Sequence, residues 1–370
     1  MTEKNRQETT ESGTRLRRGW TTGACATAAT KAALTALLTG RFPDPVTITL
    51  PRGQTPSFAL AREQLGSNEA MAAIVKDAGD DPDVTHGATI IATVRKGPGG
   101  SGIMFRAGEG VGMITLPGLP VEPGQPAINP VPRRMMTETV EGLCAEHGVR
   151  PDYEIEISVP GGEALAEKTW NPRLGIKGGL SILGTTGIVN PFSCSAWIHS
   201  IHRGIDVARA AGLDHVLGST GSTSEKTAQE LYGLPDIACL DMGDFAGGLL
   251  KYLRQHPLPR LTIAGGFAKL TKLAQGAVDL HSGRSQVDME WLAEKAGPSL
   301  NQSVRDRILS ANTALEVLEM TQQEGIDLPA IVAAGARRTA LDTLRSAPVE
   351  VDILVTDRKG NILARTAVDD

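Results

Sequence analysis

From about residue 178 onward the chain repeats a short apolar strand, a glycine turn and a helix. Leu180-Ser-Ile-Leu183 breaks into Gly184-Thr-Thr-Gly187, and a helical pattern resumes near Ser195. His215-Val-Leu217 runs into Gly218-Ser-Thr-Gly221, and Leu261-Thr-Ile-Ala264 into Gly265-Gly266. Regular strand–helix alternation implies right-handed crossovers and a parallel sheet. In such a sheet, ligands bind beyond the carboxyl ends of the strands. Glycine lets backbone amides approach a ligand, and Thr or Ser hydroxyls add donors and acceptors without bulk. One such turn is often a mere connection, but three in succession predict a nucleotide-type crevice. Its candidate cofactor contacts are Gly184, Thr185, Thr186, Gly187, Gly218, Ser219, Thr220, Gly265 and Gly266.

Further helices are predicted at 197–211, 224–232, 245–254 and 268–276, the second opened by a Ser222-x-x-Glu225 capping box. The tail reads as a hairpin, Val351–Val355 against Ile362–Arg365. The first half differs. An alanine-rich helix (Ala24–Leu38) precedes alternating strands at Val46–Leu50, Ala88–Val94, Ile103–Phe105, Val111–Thr115 and Tyr153–Val159, with a helix over Met135–His147. A chain of 370 residues exceeds one ordinary core. The expected organisation is a polar, disordered tail (1–14), an α+β domain (15–178) and an α/β Rossmann-like domain with a mainly parallel sheet (179–370).

Charge and composition exclude several classes. A net charge of −5 without a basic block argues against a nucleic-acid binder. Apolar runs fall short of the roughly 20 residues of a membrane helix, and the N-terminus lacks a signal-peptide core. The scattered Cys25, Cys144, Cys194 and Cys239 fit reduced thiols, hence the cytoplasm. No metal centre is expected. His199 and His202 share a helix face near Cys194, yet a structural zinc site wants four ligands, usually with a close cysteine pair. A homo-oligomer stays open.

The spacing narrows the ligand. A P-loop needs Lys-Ser/Thr directly after its last glycine, whereas Lys226-Thr227 follows Glu225. A dinucleotide fold needs GxGxxG, which the Gly184 turn lacks. Asp241 and Asp244, in Asp241-Met-Gly-Asp244, end another strand and suit a ribose, although Asp244 would equally cap the next helix. Asp77, Asp80, Asp81 and Asp83 form an acidic turn, readable as a solvated loop, a cation site or a base; Ala88 stands where an EF-hand needs Glu. Arg133, Arg173 and Lys177 sit beside rigid turns and suit carboxylate recognition.

Several long motifs occur in a fixed order. They are Thr21-Thr-Gly23, Lys76-Asp-Ala-Gly-Asp-Asp-Pro-Asp-Val-Thr85, Gly108-Glu-Gly-Val-Gly112 and Pro126-Ala-Ile-Asn-Pro-Val-Pro-Arg133. Then come Thr169-Trp-Asn-Pro-Arg-Leu-Gly-Ile-Lys-Gly-Gly179, Gly184-Thr-Thr-Gly-Ile-Val189, Met242-Gly-Asp-Phe245 and Lys269-Leu-Thr-Lys-Leu-Ala274. Together they resemble the CbiD family of cobalamin biosynthesis, from about residue 15 to the C-terminus. Where that family often carries Pro-Met-Ser-Glu-Glu, this chain has Pro191-Phe-Ser-Cys-Ser195. The resemblance implies methylation at ring carbon 1 of a cobalt-bearing corrinoid precursor, cobalt-precorrin-5B, giving cobalt-precorrin-6A. The donor would be S-adenosyl-L-methionine, with cobalt only part of the substrate.

That chemistry sets requirements. Macrocycle carboxylates need basic partners, so Arg133, Arg173 and Lys177, with Thr21, Thr22 and Gly23, become substrate-side candidates. A cleft between the two halves would hold it. Asp244 and His281 are the catalytic candidates for proton removal. Gly184→Val is expected to abolish donor binding with the fold largely intact.

Overall fold

The computed structural model describes residues 16–297 and 300–366, so the tail expected at 1–14 lies outside the described residues. It combines parallel and antiparallel sheets with helices and divides into two compact units, Met1–Ser193 and Cys194–Asp370. The division therefore falls later than the 178/179 boundary read from the sequence. Among the described residues no helix is long and apolar enough to cross a membrane.

The first unit is organised by α1 (Thr22–Thr39), which follows β1 (Gly19–Trp20). Its small side chains, from Ala24 to Ala36, are almost all fully buried, because alanine lets a helix seat closely on its neighbours. Those neighbours are the central strands of a five-stranded sheet and a second helix. A small hairpin, β2 (Val46–Thr47) with β3 (Ser57–Phe58), precedes the sheet. The sheet comprises β4 (Arg62–Leu65), β5 (Glu69–Val75), β6 (Thr89–Lys96) and β7 (Ile103–Ala107), followed after β8 (Met113–Ile114) and α2 (Pro130–Glu146) by β9 (Tyr153–Ser158). Its order is β4-β5-β6-β9-β7, antiparallel except for β7 against β9. Then come α3 (Gly162–Ala166), β10 (Ile176–Lys177), paired with β8, and β11 (Ile188–Val189).

β11 pairs antiparallel with β1, Trp20 opposite Ile188. This overturns the strand–turn–helix reading of residues 180–195. Leu180 and Ile182 make only isolated bridges, to Val111 and Ile128, and the Gly184 turn returns the chain to β1. An apolar run before glycine looks the same whether it enters a sheet or edges a loop.

The second unit begins with α4 (Cys194–Ala210) and continues through β12 (His215–Ser219), α5 (Ser222–Tyr232), β13 (Cys239–Asp241), α6 (Ala246–Gln255), β14 (Arg260–Gly266) and α7 (Phe267–Ala274). Four helices follow, α8 (Met289–Lys295), α9 (Gln302–Leu309), α10 (Ala314–Gln323) and α11 (Leu328–Leu344), then β15 (Glu350–Thr356) and β16 (Ile362–Arg365). The sheet order is β13-β12-β14-β15-β16, parallel except for β16. Helices α4, α6, α7 and α11 contribute to one large apolar cluster, while α5 packs over a smaller one built on Leu217, Ala264 and Leu354. From β12 the chain moves one way to β13 and then back past β12 to β14, so the direction reverses between β12 and β14. Such a switch point opens a crevice at the carboxyl ends of the two strands.

Candidate functional site

Two of the three glycine turns lie at those strand ends. Gly218 and Ser219 belong to β12 itself, and a Cβ on Gly218 would come within 2.4 Å of Leu249, so this glycine serves helix packing. Ser219 is buried and donates its hydroxyl to Glu225 (2.9 Å). The helix N-cap is Gly221, not the Ser222 of the expected capping box. The Thr220 amide donates to Ala264 O across the switch (3.0 Å), and Gly265 is small because the Thr220 side chain lies over it.

Gly221 and Gly266 are different. A Cβ at either meets nothing within 4 Å, and their φ angles, 172° and −67°, suit any residue. Both start helices, α5 and α7, and α6 starts from Phe245. None of these three N-cap residues supplies a side-chain bond. Helices α8 to α11 are capped by the side chains of Asp288, Asn301, Thr313 and Asp327. Helix starts whose N-cap residue brings no side-chain bond favour anions and polar ligand atoms.

Asp241 ends β13, next to Ser219 in the neighbouring strand. The following Gly243 donates its amide to Ser219 O (2.9 Å), drawing the loop across the strand ends. Asp244 does not cap α6; its carboxylate pairs with Lys269 of α7. The Leu280 amide donates to Asp244 O (2.8 Å), and Leu280 O accepts from Lys269 (3.3 Å) and Lys272 (3.0 Å). Asp244 and the exposed His281 are thus brought to one loop junction. His281 Nδ1 accepts from the Gly283 amide (3.1 Å). Arg284 holds the same loop by donating to Asp279 (2.6 Å) and to Cys194 Sγ (3.3 Å). His202 stacks on Tyr252 with ring centres 3.9 Å apart, and Nε2 lies 3.3 Å from Gly248 O.

The third turn belongs to the first unit. Leu183 O accepts from the Gly23 amide (2.9 Å), Thr22 Oγ1 accepts from the Leu183 amide (2.9 Å), and Thr21 donates its amide to Gly187 O (3.0 Å). The two Thr-Thr-Gly motifs, 21–23 and 185–187, are therefore laced together at the start of α1. Thr21, Thr22 and Gly23 are buried; Thr21 Oγ1 caps α1 through the Ala24 amide (3.2 Å), and these residues hold the loop. Gly187, with φ +82°, packs under Leu50; Thr185 is exposed and Thr186 half-buried. Burial pushes the Cys25 thiol up to about 12, so it is no nucleophile.

The acidic turn is bound to its own unit. Arg17 is bidentate on Asp77, Asp80 accepts from the Arg17 amide (2.6 Å), and Asp81 from the Phe192 amide (2.8 Å). Lys76, only 1 % exposed, pairs with Asp83 at 2.5 Å. Sequence reading missed that buried pair, because a lone lysine before an acidic run reads as surface charge. Arg133 donates to Ile128 O (2.8 Å) and Pro126 O (3.0 Å) and stacks on Phe105, so much of its guanidinium serves the local turn. Arg173 lies over the Trp170 ring, and Lys177 is exposed on β10. Asn171 ties these motifs by donating to Gly179 O (3.0 Å) and accepting from Ser181 (3.1 Å).

Comparison with known proteins accounts for this concentration of motifs. The family model described as CbiD matches residues 9–191, and that described as CbiD, C-terminal domain, matches residues 279–367. The chain is 72% identical to proteins named cobalt-precorrin-5B C(1)-methyltransferase from Brucella anthropi and from Brucella suis biovar 1, over 353 residues and 95% of both chains in each case. The chain belongs to the CbiD family. A crystal structure of the CbiD cobalamin biosynthesis protein from Archaeoglobus fulgidus is 28% identical, covers 73% of this chain and 84% of that one, and aligns with a TM-score of 0.40. The first CbiD match ends just before the division at Ser193, so its motifs, the Gly184 turn included, share the first unit.

Proposed function

We propose that this chain transfers the methyl group of S-adenosyl-L-methionine to ring carbon 1 of cobalt-precorrin-5B, giving cobalt-precorrin-6A, with cobalt entering only as part of the substrate. We infer a Rossmann-like second unit, with the donor at the carboxyl ends of β12, β13 and β14. The observation that carries the donor site is the pair Gly221 and Gly266. Neither packing nor backbone conformation requires glycine there, and both open helices whose N-caps lack a side-chain bond. Ser219, Thr220, Asp241 and Gly265 complete that edge, Asp241 suiting the ribose hydroxyls. Gly218 contributes by packing. The substrate side takes Lys177, Arg173 and Arg133, the last held on the 126–128 turn, while Thr21 to Gly23 support the Gly184–Gly187 loop.

The chemistry asks little of a nucleophile. A sulfonium methyl is already activated, so the enzyme chiefly aligns it with the accepting carbon. A proton leaving the macrocycle would pass to Asp244, which Lys269 orients, or to His281. We also infer a cytoplasmic location and a corrinoid as the molecule it meets; a homo-oligomer is compatible with this reading.

Calorimetric titration with S-adenosylmethionine, S-adenosylhomocysteine, NADH and ATP tests the donor. Binding of only NADH or ATP would overturn the assignment. Incubation with cobalt-precorrin-5B and isotopically labelled donor should carry label into the macrocycle; a macrocycle that binds but stays unlabelled would make the protein a carrier.

A further inference from the structure

Trp197 stands in the first turns of α4, and its indole N–H donates to Asp241 O at 2.9 Å. That bond fixes the ring beside the end of β13. The ring lies against Gly243, whose φ is +54° and whose Cβ, if present, would be 3.3 Å from the indole. Phe245 flanks it, with ring centres 6.3 Å apart. Despite these contacts the residue is 43% exposed. A large aromatic side chain held in one orientation and left half in solvent forfeits burial energy that a planar ligand would restore.

We propose that Trp197 is the aromatic wall of the donor's nucleoside subsite, stacking on the adenine while Asp241 takes the ribose. This deepens the methyl-donor reading and rests on it. A purine has a π-face to stack on indole, and stacking on an aromatic side chain tolerates substitution by another ring. Gly243 then has two jobs, turning the chain in the left-handed region and leaving room for the ring.

The test is calorimetry with S-adenosylhomocysteine, and with adenosine as a competitor, on wild type, Trp197→Ala and Trp197→Phe. Stacking on this scale predicts that Trp197→Ala weakens both ligands by about tenfold or more. Trp197→Phe should stay within a few-fold of wild type. The ligand-induced change in tryptophan emission should be lost in Trp197→Phe, a readout that does not depend on the alanine variant folding. Unchanged affinity in a folded Trp197→Ala protein overturns the proposal. So does a loss confined to S-adenosylhomocysteine with adenosine unaffected, since the contact would then be to the amino-acid tail. Wild type that binds neither ligand instead refutes the donor reading itself.

Discussion

Gly184 lies so close to Thr21 that a Cβ built on it would sit 2.3 Å from the Thr21 hydroxyl oxygen. Its φ of +132° is outside the range L side chains adopt readily. Thr21 is buried and caps α1, so it has no room to yield. Gly184→Ala should cost about 2–4 kcal/mol, strain and overpacking together, measured by chemical denaturation. This corrects the expectation that Gly184→Val would spare the fold. Unchanged stability would show that Thr21 is free to move.

Gly266→Ala should behave in the opposite way. Nothing lies near the added methyl and φ is −67°, so stability should hold or rise by roughly 0.4–1 kcal/mol. Affinity for S-adenosylmethionine should drop by about tenfold, roughly 1.4 kcal/mol. A variant binding the donor normally would remove Gly266 from the site.

Acid should loosen the first unit at its acidic turn. The Arg17 guanidinium and the Gly79 amide hold the Asp77 carboxyl at about 2. Burial pushes Asp83 up, but the Lys76 ammonium and the Thr85 hydrogen bonds outweigh it and hold it below the usual range. Both folded values lie below the unfolded value of about 3.9, so this stabilisation is complete above it and lost as pH falls toward 2. Asp77→Asn should flatten that acid limb in thermal melts. Lys76→Met strands Asp83 without its cation and should cost about 3–5 kcal/mol at neutral pH.

His215 should add a second, milder dependence. Burial, with the Arg260 charge nearby, lowers its pKa to about 4, and Nε2 lies 2.8 Å from the Thr262 hydroxyl. The folded value is below the unfolded value of about 6.5, so the unfolded chain takes up the proton first. Stability is therefore full above about 6.5 and is lost as pH falls toward 4. Melting points of His215→Gln should change less between pH 7 and 5 than those of wild type; parallel curves would contradict this.

Asp244→Asn separates binding from chemistry. If Asp244 takes a proton, kcat should fall by about 10²–10⁴-fold with donor affinity nearly unchanged. Lys269→Met should lower kcat less, because it removes only the group that orients the carboxylate. A rise in KM alone would assign Asp244 to substrate binding.

Much of this molecule could be read from the chain. The strand–helix rhythm after His215, the buried alanine helix and the terminal hairpin are local patterns, fixed by which side chains repeat at which interval. The motifs sufficed for the family. Asp244 and His281 could be named as candidates but not joined, since their meeting depends on Leu280 reaching Asp244 across the turn after α7.

The sequence by itself determined that the second half builds a parallel sheet with glycine at its strand ends, because period and punctuation are local. Only the tertiary structure decided what each glycine is for. Gly218 makes room for Leu249, Gly184 turns beside Thr21 in the other unit, and Gly266 faces open space. Glycine has no side chain to declare its purpose; the atoms around it come from residues distant in the chain, and the fold alone brings them there.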